Sequence, residues 1–149
     1  MPFVYPYPRP MVTVDAVVFR TNGDILEVLL IRRKKAPFAG KLALPGGFVE
    51  IDEDLEDAAK RELAEETGLL SVGLSQLGAF GRPGRDPRGR TISIAFGGIV
   101  PLSGSRVRGG DDADLAAWVP VDGLPDLAFD HDEIIRIGLK WFKKLAIGP

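Results

Sequence analysis

Between residues 11 and 19 the chain reads MVTVDAVVF, with β-branched side chains at Val12, Thr13, Val14, Val17 and Val18. Such side chains favour a strand. Asn22-Gly23 then predicts a tight hairpin, after which ILEVLLI at 25–31 returns as a second strand. Upstream, YPYPRP at 5–10 forms an extended arm, because its prolines exclude helix. Further apolar runs at 42–44, 74–80, 91–100 and 116–119 predict four more strands, with GRPGRDPRGR at 81–90 as a loop. Two segments have helical spacing instead. One spans about 55–67; the other starts at Asp130, with Glu133 three residues on as in a capping box, and carries Ile134, Ile135, Leu139, Phe142 and Leu145. Strands on both sides of one strong helix, and a second helix at the end, predict an α/β fold with a mixed sheet between helices.

The first helix breaks its own pattern. Asp52 or Asp54 can cap its start, and Gly68 can end it in a left-handed conformation. At about 100° per residue, Leu55, Ala58, Ala59 and Leu63 form an apolar stripe. Glu62 and Glu66 fall in the centre of that stripe and Glu65 on its edge. Carboxylates on a core-facing side repel one another and must take up a proton or a cation. A hard divalent ion with oxygen ligands, Mg²⁺ or Mn²⁺, suits them and keeps positions open for phosphate.

Taken as one string, residues 47–69 (GFVEIDEDLEDAAKRELAEETGL) hold a Gly, then Glu53, Arg61-Glu62-Leu63, Glu65-Glu66 and Gly68-Leu69. This segment resembles the box of the Nudix hydrolases at every defining position. The resemblance implies an α/β/α sandwich over essentially the whole chain, and hydrolysis of a nucleoside diphosphate linked to another moiety. It implies Glu62, Glu65 and Glu66 as metal ligands, with the Gly46 carbonyl added, and Glu53 with Arg61 as a pair bracing the loop against the helix. The general base is expected either in the box, at Glu62 or Glu65, or on a later loop at Asp111, Asp112 or Asp114.

The runs at 13–19 and 81–96 are similar to those of ADP-ribose pyrophosphatases within the family. By that similarity the expected reaction is ADP-ribose to AMP and ribose 5-phosphate. Arg82, Arg85 and Arg88 are spaced through a glycine- and proline-punctuated loop, where guanidinium groups can bind phosphate or sugar hydroxyls. Arg33 is a further phosphate candidate, and Phe38 an adenine-stacking one. His131, the only histidine, is expected in a hydrogen-bonded structural role at a helix start. Asp15, mid-strand among apolar residues, is either hydrogen-bonded or facing a ligand.

Composition narrows the alternatives. The 149 residues are expected to form one domain, and a net charge of −2 argues against general nucleic-acid binding. No cysteine is present, which removes disulfides, thiol nucleophiles and cysteine-based zinc sites. With no apolar run of membrane-spanning length and no signal pattern, a cytoplasmic protein acting on a small nucleotide is expected. A nucleotide-sanitising triphosphate pyrophosphohydrolase is the runner-up. An ADP-ribose-sensing regulator is ranked lower, because every box glutamate is kept and the chain stops at Pro149. A homodimer exchanging the arm and first strand is expected by family analogy.

Overall fold

The computed structural model describes residues 2–110 and 113–147. Its elements are β1 (Met11–Asn22), β2 (Ile25–Arg33), β3 (Leu42–Ala43), β4 (Gly46–Phe48), α1 (Leu55–Thr67), β5 (Ser75–Phe80), β6 (Thr91–Ile99), β7 (Ala113–Pro120) and α2 (His131–Ile147), with a 3₁₀ turn at Val121–Gly123. The strands form one seven-stranded sheet along the path β3-β2-β1-β6-β5, with β4 also on β1 and β7 on β2. β1 runs parallel to β6, and the other pairings are antiparallel. The mixed sheet between two helices is the expected α/β sandwich.

β1 organises this sheet. One edge pairs with β6 from Met11 to Phe19, while the other is shared: residues 13–15 pair with β4 and residues 19–22 with β2. Alternation along β1 divides the core between the two faces. Val14, Ala16 and Val18 pack on the side of Ala58, Ala59 and Leu63 of α1. Val17 and Phe19 pack on the side of Ile134 and Ile135 of α2, where Phe142 tilts against Phe19. α2 crosses close to the sheet at Gly138, where a Cβ would stand 2.8 Å from a Val17 methyl.

The box helix has the expected ends. Asp54 caps α1, its side chain accepting from the Leu55 N–H at 2.7 Å, and Gly68 closes it at φ 80°. Other details differ. The hairpin loop is Gly23-Asp24, one residue later than expected, because Asn22 still pairs with Ile25. β4 was not anticipated, and β7 begins at Ala113 instead of Ala116. At the start of α2 the expected capping box is replaced by longer-range bonds: the carboxylate of Asp130 accepts from Arg85 and that of Glu133 from Arg82. Charge-assisted bonds to arginine are the stronger use of those carboxylates. Among the described residues no helix is long and apolar enough to cross a membrane.

His131 ties α2 to the sheet. It is 3% exposed, and its Nδ1 accepts from the Leu44 N–H at 2.9 Å. Burial pushes the imidazole below its ordinary range. A depressed histidine leaves the folded state with fewer protons than the unfolded one, so stability falls as pH drops through about 6.5. The melting temperature should therefore fall between pH 7.5 and 5, and less steeply in His131→Gln, whose amide keeps an acceptor but takes no proton. Parallel pH profiles for the two proteins would contradict a buried neutral histidine.

Candidate active site

A cavity of about 740 Å³ lies against the N-terminal half of β1. α1 contributes Arg61, Glu62, Glu65 and Glu66 to its wall, β4 contributes Gly46 to Phe48, and the loop before β6 contributes Arg85, Asp86 and Arg88. The box carboxylates thus share one cavity with the arginine-bearing loop.

Backbone closeness explains the two glycines of β4. A Cβ on Gly46 would overlap the Val14 carbonyl oxygen of the paired strand. One on Gly47 would come within 2.5 Å of Glu62 Oε1, so the helix carboxylate packs directly on the strand backbone. Gly46 N–H also donates to Glu66 Oε1 at 2.7 Å, tying the strand to the last turn of α1.

Arg61 holds the acidic end together. Its Nε donates to Glu53 Oε2 at 2.5 Å and its Nη2 to Glu53 Oε1 at 2.9 Å and to the Phe48 carbonyl at 3.1 Å. Nη1 reaches Glu62 at 2.8 Å and Glu65 at 3.2 Å. The Arg61 hydrogen bond holds the Glu53 carboxyl below its usual range, and the guanidinium in turn is held more firmly charged. Glu62 behaves oppositely: burial pushes it up, and the contact with Arg61 offsets only part of that.

No three acidic or imidazole groups among the described residues converge as a ready-made metal cage. The carboxylates are occupied by Arg61 and by the Gly46 N–H. The donor set nevertheless fits a hard divalent cation: Glu62, Glu65 and Glu66 are all oxygen donors, on adjacent turns, beside a side-chain-free strand.

The loop arginines have different surroundings. The side chain of Arg85 is 3% exposed and forms a fork with Asp130, at 2.9 and 2.6 Å. Arg88 grips Asp86 through Nε and Nη2 and lies over the rings of Phe48 and Phe129. Burial pushes the Asp86 carboxyl up, but the Arg88 bonds outweigh it and hold the group below its ordinary range. Arg82 points away from the main cavity, into a smaller one of about 400 Å³, and pairs with Glu133 at 2.7 Å. Phe38 lines that smaller cavity too, its ring edge-on to Phe129. Arg33 lines the main cavity, donates to the Pro37 carbonyl and lies 5.0 Å from the Phe129 centroid.

Asp112 lies outside the described residues, as does Asp111. Asp114 is exposed and paired with Arg32 at 2.8 Å. Among the cavity residues not assigned from the sequence are Asp86, Phe48 and Phe129. Asp86 had only its place in the arginine loop as a signal. Phe129 takes φ 54°, a strained left-handed value for an aromatic residue.

The NUDIX domain model matches residues 9–142. The chain belongs to the Nudix family. An ADP-ribose pyrophosphatase of Methanocaldococcus jannaschii is 46% identical over 91% of this chain and 76% of its own length. The ADPR responsive transcriptional repressor NtrR of Acinetobacter baylyi is 34% identical over 87% of this chain, which spans only 53% of that relative. Among solved structures, the Nudix domain of Shewanella oneidensis NrtR, complexed with ADP ribose, superposes with a TM-score of 0.84 at 31% identity, covering 93% of this chain and 94% of that one.

The raised Glu62 has a measurable consequence. Its burial cost belongs to the charged form, so the cost is absent below the ordinary glutamate range and complete above the raised one. In metal-free buffer near pH 8, Glu62→Gln should therefore melt higher than the unmodified Nudix domain, with the gap closing towards pH 4. A lower melting temperature for Glu62→Gln at pH 8 would contradict a desolvated Glu62.

Proposed function

We propose that this chain is a divalent-cation-dependent pyrophosphohydrolase that cleaves ADP-ribose to AMP and ribose 5-phosphate. The observation that carries the proposal is that Gly46, Glu62, Glu65 and Glu66 line one cavity together with Arg88 and Asp86. The 46% identity to an ADP-ribose pyrophosphatase supports the choice of substrate. Glu62, Glu65 and Glu66, with the Gly46 carbonyl, would hold the ion, which we take to be Mg²⁺ or Mn²⁺. When bound, such an ion supplies Lewis acidity and neutralises the charge that develops on the diphosphate oxygens.

The remaining chemistry falls to side chains of the chain. Arg61 sets the spacing of Glu62 and Glu65 through a single nitrogen, and Glu53 fixes the guanidinium from the other side. Glu62, pushed up by burial, is suited to take a proton from the attacking water near neutral pH. Asp112, which precedes β7 in the sequence, is the other base in the proposal. Arg88 is pre-oriented by Asp86 and by two aromatic rings, so a phosphate oxygen would meet a guanidinium whose freedom is already reduced. Arg33 lies on the same cavity wall and would add positive charge. Arg85 and Arg82 act one step back, anchoring the loop to α2 through Asp130 and Glu133. Phe38 would reach a base only through the smaller cavity.

A sensing role without hydrolysis is favoured by the likeness to the NrtR domain complexed with ADP ribose. The intact carboxylate set weighs towards catalysis. Product analysis over ADP-ribose, other nucleoside diphosphate derivatives and nucleoside triphosphates with Mg²⁺ separates these readings. AMP and ribose 5-phosphate should form from ADP-ribose and disappear with EDTA. Glu66→Gln should lower turnover by roughly 10²-fold or more, since even the partners of metal ligands are worth about 10- to 100-fold. Tight ADP-ribose binding with no product would support the sensor, and preference for triphosphates would support a sanitising enzyme.

A further inference from the structure

Beside Gly46, on the paired strand, the cavity wall carries a buried acid that the hydrolytic reading does not use. Asp15 is 6% exposed, in the middle of β1 between buried Val14 and Ala16. A carboxylate in such a position is costly unless hydrogen-bonded. Ser93 Oγ donates to its Oδ2, and His131 Nε2 stands 3.4 Å from its Oδ1. Because the Leu44 N–H donates to His131 Nδ1, the proton of the neutral imidazole sits on Nε2, the atom facing Asp15. Strand β6, helix α2 and the β3–β4 segment therefore act together to fix where this carboxylate lies.

Those contacts occupy two of about four lone-pair positions on the carboxylate, and Asp15 lines the cavity. Arg85, buried and paired with Asp130, also interacts with the charge of Asp15. Around the neutral His131, Asp15 and Asp130 are set against Arg85 and Arg33, so the corner is largely balanced in charge. A cation would gain little there, and a phosphate would be repelled by the carboxylate face. A neutral group with O–H donors fits both the charge and the acceptor capacity.

We propose that Asp15 is a specificity-determining residue that accepts hydrogen bonds from the vicinal hydroxyls of a pentose, orienting that sugar relative to the box. The inference rests on the hydrolytic reading above. ADP-ribose carries two such sugars, the terminal ribose and the adenosine ribose, and the experiment tells them apart.

The kcat and KM of the unmodified enzyme and of Asp15→Asn are measured on ADP-ribose and two analogues. One analogue lacks the vicinal hydroxyls of the terminal ribose, the other those of the adenosine ribose. Asp15→Asn should lower kcat/KM on ADP-ribose by roughly tenfold or more, chiefly through KM. On one analogue the two proteins should perform alike, which identifies the sugar that is read. An equal penalty on all three substrates reduces Asp15 to a tether for α2 and overturns the proposal.

If Asp15→Asn does not fold, the unmodified enzyme decides alone. A site built to bond a hydroxyl discriminates against the substrate lacking it. A preference of roughly tenfold or more over one analogue is required, and equal kcat/KM on all three overturns the proposal. An unmodified enzyme that cleaves none of the three overturns the hydrolytic reading, and this inference with it.

Discussion

One guanidinium balances the acidic half of the site. Arg61 contacts Glu53, Glu62, Glu65 and the Phe48 carbonyl, and so joins the loop before α1, the helix and β4. Without it, Glu53, Glu62 and Glu65 would repel each other, most strongly at the partly buried Glu62. With it, they stay together, but as ligands of a cation that belongs to the chain. Glu62 remains only partly compensated, and its raised protonation range records the imbalance. A site arranged this way has an electrostatic reason to accept further positive charge.

β1 supplies the second constraint. Its shared edge holds β4 beside the box and β2 beyond it, so the cavity forms where two neighbours of one strand part company. Across the cavity, Arg85 and Arg82 fasten the loop before β6 to the first turn of α2. That fastening leaves Arg88 between two aromatic rings with its partner Asp86. Two charge systems thus share the cavity, one built on Arg61 and the other on Arg85 and Arg88, and both touch Phe48.

Much of the box was legible because its information is local. Asp54, the apolar stripe, the intruding glutamates and Gly68 all act within one helix, and the helix appears with those bounds. The wheel also placed Glu66 inward, where it is 5% exposed. β4 was not legible, since Gly46-Gly47-Phe48 carries little strand propensity and exists through pairing with β1. The loop arginines were readable as a group but not individually. The partners of Arg85 and Arg82 lie 45 and 51 residues further along, and Asp130 and Glu133 carried a local signal for capping that tertiary pairing overrode. Asp15 did announce itself as polar in an apolar strand, while its partners Ser93 and His131 could only be found in three dimensions.

The central claim is that the carboxylates gathered by Arg61 form a site for a divalent cation. Titration of Mn²⁺ into the protein, followed by the electron paramagnetic resonance signal of the free ion, tests it without reference to substrate or turnover. The account predicts saturable loss of the free-ion signal, reversed by excess Mg²⁺, because both ions seek the same oxygen donors. A signal that tracks added Mn²⁺ in proportion, with no saturable component, would contradict it.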